Sequence, residues 1–282
     1  MPAIETLCEI GATTAWVLGH RAAGRRVGLV PTMGALHAGH LSLARRAVSE
    51  CDVTLATVFV NPTQFAAEED LDRYPRDLDA DREALAAIGV SAVFAPAVEA
   101  MYPDGFATSI DVGHVARVLE GAARPTHFAG VATVVAKLMA IAPADAAYFG
   151  HKDYQQTVVI RRLAADLNLA PRVVVCPTVR DADGLAMSSR NAYLSADERE
   201  RALSLSRGLR KAEALHAGGV RDAGELREAV LRELRAAAVE ADYAAVLADG
   251  TVDPIEAVTG PAIVAVAARV GRTRLIDNVR LA

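Results

Sequence analysis

At 282 residues the chain suits one large domain or two unequal ones, and it is long enough to bury a sizeable core. Hydrophobic residues make up 52%, charged residues 23% and aromatic residues 5%, the composition of an Ala/Val/Leu-rich globular protein rather than a disordered or membrane one. A formal net charge of −5 excludes a broad nucleic-acid surface, which needs clustered Lys and Arg, so any phosphate site must be local.

Cys8, Cys51 and Cys176 are widely spaced with no Cys-x-x-Cys, which is neither a disulfide framework nor a zinc ribbon and points to a reducing compartment. The start of the chain carries Glu5 and Glu9 rather than a basic leader, and no apolar run reaches the ~18 to 20 residues of a membrane span. The expectation is a cytoplasmic protein with no membrane and no nucleic-acid partner.

In chain order, residues before Arg25 read as a packing helix closed by Gly24. Val27 to Val30 is the first strand, broken at Pro31, and Leu41 to Ser49 the first helix after the turn. Val53 to Val60 is almost continuously apolar and β-branched, which suits a strand covered on both faces and makes the unit a parallel βαβ. A charged stretch from Glu68 to Arg82 reads mostly as a solvated face. Leu85 to Ile88 then ends a helix at Gly89, and Val90 to Phe94 is another strand. Val131 to Ile141 is an apolar helix, Ala144 to Phe149 a strand, and Gly150-His-Lys-Asp-Tyr-Gln-Gln156 opens a helix through Leu167. Arg172 to Val175 closes this α/β region.

The texture changes near Pro177. A polar loop, Asp181 to Asn191, precedes a helix over Ser195 to Leu215 whose Ser195 and Glu198 have capping-box spacing. A second helix, Ala223 to Val239, and short strands at Ala244–Ala248, Ala262–Ala267 and Arg274–Leu281 complete a small α+β tail. The expected architecture is α/β: a Rossmann-like, doubly wound parallel sheet over residues 1–177, with a smaller C-terminal α+β domain over 178–282 that closes over the active site.

The chemistry is concentrated after strands. His37 and His40, separated by Ala38 and Gly39, fall at a helix start, where unpaired N–H groups favour an anion. Surface placement and a His-x-x-His zinc site are the competing readings; the second lacks a nearby third ligand. Asn61 and Gln64 follow the next strand, and Lys152, Asp153 and Gln156 follow a third. If the strands are parallel, their carboxyl ends share one edge, so these loops converge on one crevice. Two imidazoles, Lys152, Arg190 and the hydroxyls of Ser188 and Ser189 suit a nucleoside triphosphate, without any P-loop sequence. Gln64 and Gln156 suit the hydroxyl and carboxylate groups of a small polar substrate.

Pro31-Thr-Met-Gly-Ala-Leu-His-Ala-Gly-His40 resembles the HxGH signature of the nucleotidylyltransferase superfamily, and Met187-Ser-Ser-Arg190 its second, mobile-loop signature. Together with Phe59 to Phe65, Asp72 to Arg76, Arg124 to Gly130, Lys152 to Gln156, Asp183 to Asn191 and Thr273 to Asn278, the pattern resembles the pantothenate synthetase (pantoate–β-alanine ligase) family. The resemblance implies an ATP-dependent ligation of pantoate and β-alanine through a pantoyl adenylate, giving pantothenate, AMP and pyrophosphate, with magnesium and a homodimer expected. It implies that Met33, Gly34, Ala35, Leu36, His37, Ala38, Gly39 and His40 line ATP together with Gly150, His151, Lys152 and Asp153. By the same resemblance Val179 lies on the adenine side and Met187, Ser188, Ser189 and Arg190 close on the phosphates. Gln64 and Gln156, with Asn61 beside them, are implied to hold pantoate. His40 is the implied catalytic histidine, with His37, Lys152 and Arg190 stabilising phosphate charge, and Asp81 resembles a position near magnesium. The sequence departs from the family pattern at His151 and at Ala66-Ala67, after Gln64-Phe65. The alternatives are another adenylyltransferase that retains the nucleotide in its product, and a nucleotide-binding sensor without turnover; a tRNA synthetase is disfavoured by the charge and by the absence of room for an anticodon-binding region.

Overall fold

The computed structural model describes residues 4–66 and 71–282, with Arg73 described in its backbone alone. Ala67, and Glu68 at the start of the charged stretch, lie outside the described residues. The chain divides into two compact units: 1–151 with 156–177, and 152–155 with 178–282.

The first unit runs β1 (Glu5–Leu7), α1 (Ile10–Ala22), β2 (Val27–Thr32), α2 (Ala38–Glu50), β3 (Val53–Val58), α3 (Leu78–Ala86), β4 (Ala92–Phe94), α4 (Val98–Met101), α5 (Glu120–Ala123), α6 (His127–Ile141), β5 (Ala146–Gly150), most of α7 (Tyr154–Asp166) and β6 (Arg172–Cys176). Its six strands are parallel in the order β1-β4-β3-β2-β5-β6. The order reverses between β2 and β5, and a doubly wound sheet opens its ligand crevice at the carboxyl ends of such a pair.

The near-continuous apolar runs of β2 and β3 are explained by two cores, one on each sheet face. Val27, Leu29 and Leu55 join the core that contains Val17 of α1, Val131 and Val135 of α6 and Ile160 of α7. Their neighbours Val30 and Ala56 point the other way, into the core with Leu43 and Ala47 of α2 and Leu85 of α3. The two-residue period of a strand sends alternate side chains to opposite faces, so both sets must be apolar. Gly28 lies on the α2 side, where an added Cβ would meet Cys51 Sγ at 3.1 Å and Ala47 Cβ at 3.3 Å.

The second unit contains α8 (Ala196–Ala217) and α9 (Ala223–Ala236) with an antiparallel sheet of β7 (Glu240–Ala248), β8 (Ala262–Val270) and β9 (Thr273–Leu281) in that order. Its own core joins Leu205, Leu209, Leu226 and Val230 to Val264 and Val266. The capping box forms as its spacing predicts: Glu198 N–H donates to Ser195 Oγ at 3.3 Å and Ser195 N–H to Glu198 Oε2 at 2.9 Å. Residues 152–155 group with this unit through Tyr154, whose hydroxyl donates to Thr251 O at 2.8 Å and accepts from Gly250 N at 2.8 Å. Asn278 Nδ2 adds a bond to Lys152 O at 2.9 Å. Among the described residues, no helix is long and apolar enough to cross a membrane.

Candidate active site

In the first unit the loop after β2 carries both histidines. His37 is the N-cap of α2, its Nδ1 accepting from Gly39 N–H at 3.1 Å, and His40 Nδ1 accepts from His37 N–H at 3.4 Å. The pair makes a capping box from imidazoles, with ring centroids 4.0 Å apart and both rings half-buried. Because each Nδ1 is an acceptor, the proton of each neutral ring sits on Nε2, which makes Nε2 the hydrogen-bond donor. The histidines are therefore oriented donors at the positive end of a helix, matched to a phosphate.

The turn ahead of them is left-handed, with φ of 82° at Gly34 and 51° at Ala35. Asp81, on α3 and 5% exposed, fills it: its Oδ2 accepts from Ala35 N–H at 3.0 Å and its Oδ1 from Leu36 N–H at 2.8 Å. Burial raises the Asp81 pKa above its ordinary value, and the two backbone donors oppose that shift. Asp81 therefore clamps the turn, with the N–H groups of Ala35 and Leu36 donating to its carboxylate. Among the described residues, no group of three or more His, Cys, Asp or Glu is placed to hold a metal.

The loop after β3 builds a second polar centre in the same unit. Asn61, expected as a substrate contact, is 1% exposed and fully engaged. Its Oδ1 accepts from Tyr102 Oη at 2.7 Å, Thr63 Oγ1 at 2.9 Å and Thr63 N–H at 3.3 Å, while its Nδ2 donates to Gln64 Oε1 at 3.0 Å and Gly130 O at 3.2 Å. A buried amide with both ends satisfied supports its neighbours. Gln64, half-buried, is held through its backbone as well as its side chain: its backbone carbonyl accepts from Arg124 Nη2 at 3.3 Å and lies 2.9 Å from His127 Nδ1. Its Nε2 lies 3.0 Å from Met33 Sδ. The Asn61–Gln64 and Arg124–Gly130 motifs, 60 or more residues apart, are thus two sides of one structure, and Met33 joins them to the histidine loop. Gln156 lies half-buried in α7. Gly150 and His151 continue from the carboxyl end of β5, both half-buried.

In the second unit, Met187 N–H donates to Val179 O at 3.0 Å across a tight hairpin, so the expected adenine-side and phosphate-side residues are brought together. Arg199 fixes the hairpin with bonds to Asp181 at 2.7 Å and Asp183 at 2.8 Å, and Ser188 Oγ caps the following turn by accepting from Arg190 N–H at 3.3 Å. Arg180 grips the buried Asp277 of β9 through both guanidinium ends, at 2.6 and 3.0 Å. Lys152 lies 3.4 Å from Asp153.

A sequence profile described as pantoate-beta-alanine ligase matches residues 5–280, nearly the whole chain. The chain belongs to the pantoate–β-alanine ligase family. Pantothenate synthetase of Moorella thermoacetica is 51% identical over 279 residues, covering 99% of both chains, and that of Acidobacterium capsulatum is 55% identical over 91% of this chain and 86% of its own. The crystal structure of pantothenate synthetase from Thermus thermophilus aligns with a TM-score of 0.92 at 45% identity, covering 98% of this chain and 99% of that one. The Francisella tularensis pantoate-β-alanine ligase, complexed with β,γ ATP and β-alanine, aligns at 0.80 and 33% identity over 98% and 97%. The activity is that of this ligase family, the joining of pantoate to β-alanine in pantothenate synthesis with ATP as a substrate. The expected Rossmann-like sheet with a smaller C-terminal α+β part is the fold observed.

Sequence reasoning missed three residues that shape these centres: Tyr102, Asp277 and Asn278 in their hydrogen-bonding roles. Thr273 to Asn278 was visible as a motif, yet nothing local announced that it ties down Lys152. Tyr102 carried no motif at all.

Proposed function

We propose that the ligation proceeds in two steps on the residues described. A carboxylate oxygen of pantoate attacks the α-phosphorus of ATP, the bond to the β-phosphate bridging oxygen breaks, and pyrophosphate leaves. The β-alanine amine then attacks the carbonyl carbon of the pantoyl adenylate; the amide forms, AMP departs and the amine gives up a proton. His40 and His37 donate from Nε2 to phosphate oxygens, and Lys152 and Arg190 neutralise the charge that builds on them as pyrophosphate leaves. Met187 to Ser189, Val179 and Gly150 to Asp153 contact the nucleotide. Gln64 and Gln156 hold pantoate, with Asn61 supporting Gln64 from behind.

The observation that carries this reading is the imidazole capping box at the start of α2, joined through Met33 to Gln64 in one unit. It supports a phosphate donor pair beside a small-acid pocket. The described residues do not build a magnesium cage, so magnesium is proposed only as a companion of the ATP phosphates and no step is assigned to it. A homodimer rests on the family resemblance, and a cytoplasmic setting on three free cysteines.

The test is pyrophosphate release from ATP with pantoate and β-alanine omitted in turn. Release that depends on pantoate and proceeds without β-alanine supports the adenylate. Release only when both are present argues for a concerted route instead.

A further inference from the structure

We propose that Tyr102 is a positioning residue for the pantoate pocket, acting through Asn61 to fix which end of the Gln64 amide faces the substrate. The inference rests on the reading that Gln64 holds pantoate.

An amide side chain can turn over and exchange its oxygen for its nitrogen, at small steric cost and with opposite chemical meaning. At Asn61 that choice is closed. The Thr63 backbone N–H, which only donates, lies 3.3 Å from the end that also meets the Tyr102 hydroxyl at 2.7 Å and the Thr63 hydroxyl at 2.9 Å, so that end is the oxygen and both hydroxyls donate to it. Gly130 O is a carbonyl and only accepts, so the end it faces at 3.2 Å must be the nitrogen. Burial also pushes the Tyr102 phenol above its ordinary pKa, which keeps the hydroxyl protonated and a donor.

The polarity passes on. Asn61 Nδ2 offers its second hydrogen to Gln64 at 3.0 Å, so Gln64 must turn its Oε1 inward and its Nε2 outward. That Nε2 meets the thioether of Met33, a weak acceptor, at 3.0 Å. Gln64 therefore presents donors, which suit the carboxylate or hydroxyl oxygens of a small hydroxy acid, and the opposite setting would present a carbonyl oxygen to an anion.

The test uses Tyr102→Phe, Thr63→Val, Gln64→Ala and the Tyr102→Phe/Gln64→Ala pair, with KM for pantoate and ATP, kcat and a melting curve for each. The phenyl ring keeps the contacts of Tyr102 with Phe59 and Phe106, so the swap removes little besides the hydroxyl. Loss of one buried donor is expected to raise pantoate KM about 5-fold in Tyr102→Phe and in Thr63→Val, with ATP KM within about 2-fold of the parent. In the Gln64→Ala background the Tyr102 substitution should add less than about 1.5-fold, because residues acting through one group are not additive. Equal effects of Tyr102→Phe with and without Gln64, or no effect of either hydroxyl variant on pantoate KM, overturn the relay. Unchanged pantoate KM in Gln64→Ala alone overturns the pantoate reading of Gln64, and the relay with it.

Discussion

Glycine to alanine inside a helix ordinarily stabilises by about 1 kcal/mol, since alanine loses less backbone freedom on folding. Gly130, in α6, should do the reverse. A Cβ there would meet Thr63 O at 2.4 Å, Thr63 C at 2.6 Å and Gln64 Cα at 2.7 Å, all backbone atoms of the turn that carries Gln64. Reaching ordinary contact distance needs a separation of about 1 Å, and overpacking of this kind costs about 1–3 kcal/mol or more. The same movement stretches the 3.2 Å bond from Asn61 Nδ2 to Gly130 O, at about 1 kcal/mol. Against the helix gain, Gly130→Ala should be less stable by about 1–3 kcal/mol, a fall in melting temperature of roughly 2–12 °C for a domain of this size. Because the turn bearing Gln64 moves, pantoate KM should rise by on the order of 10-fold or more, read from pyrophosphate release against pantoate at saturating ATP. A variant that melts at or above the parent temperature with unchanged pantoate KM would refute the close-approach argument.

His40→Ala should slow pantoate-dependent pyrophosphate release by on the order of 10²-fold or more, the cost of losing a donor aimed at developing charge; near-normal release would remove His40 from the phosphate site. Asp81→Asn should loosen the histidine loop, because an amide replaces one of two acceptors with an N–H group facing a backbone N–H; a charge-assisted bond of about 1.5–3 kcal/mol is lost, visible as a raised ATP KM. Its pH dependence has a defined sign. The folded-state pKa of Asp81 lies above its ordinary value of 3.8. Its contribution to stability is therefore full below the unfolded pKa and is lost as pH rises through the raised one. Urea unfolding across that acid window should show the parent's margin over Asp81→Asn shrinking as pH rises, and a margin that grows would show the carboxylate is instead favoured by the fold.

The parts of this structure that a sequence shows are those set by short-range pattern. The runs at Val27 and Val53 needed only their two-sided apolarity, and Ser195 with Glu198 is a local signature. Where a less common device does the same work, the boundary slipped: α2 starts at Ala38, three residues before the expected Leu41, because its cap is a histidine rather than Ser, Thr, Asp or Asn. β2 continues through Pro31 to Thr32, since its pairing with β5 covers only Gly28 and Leu29 and the missing N–H interrupts no bond on that side. β1 is a three-residue edge strand, too short to show a period. Among the candidate site residues, His37, His40 and Gln64 stand out in the sequence because their residue types announce chemistry. Asn61 was legible as polar but not as buried, since the groups that saturate it come from Tyr102 and Gly130, 41 and 69 residues away. Asp81 likewise reveals its partner only once α3 and the loop after β2 are folded together.

The grouping of residues 152–155 with the C-terminal unit means the chain passes between units three times, at 151/152, 155/156 and 177/178. No single cut separates them. A fragment ending at Pro177 would keep Lys152 while discarding Asn278, Gly250 and Thr251, the groups that hold its segment in place. Recombination between relatives faces the same constraint: a C-terminal half transplanted at 177 inherits a socket shaped for another protein's 152–155. Those four residues should travel with the tail, and hybrids that exchange both together should fold and turn over better than hybrids joined at the obvious seam.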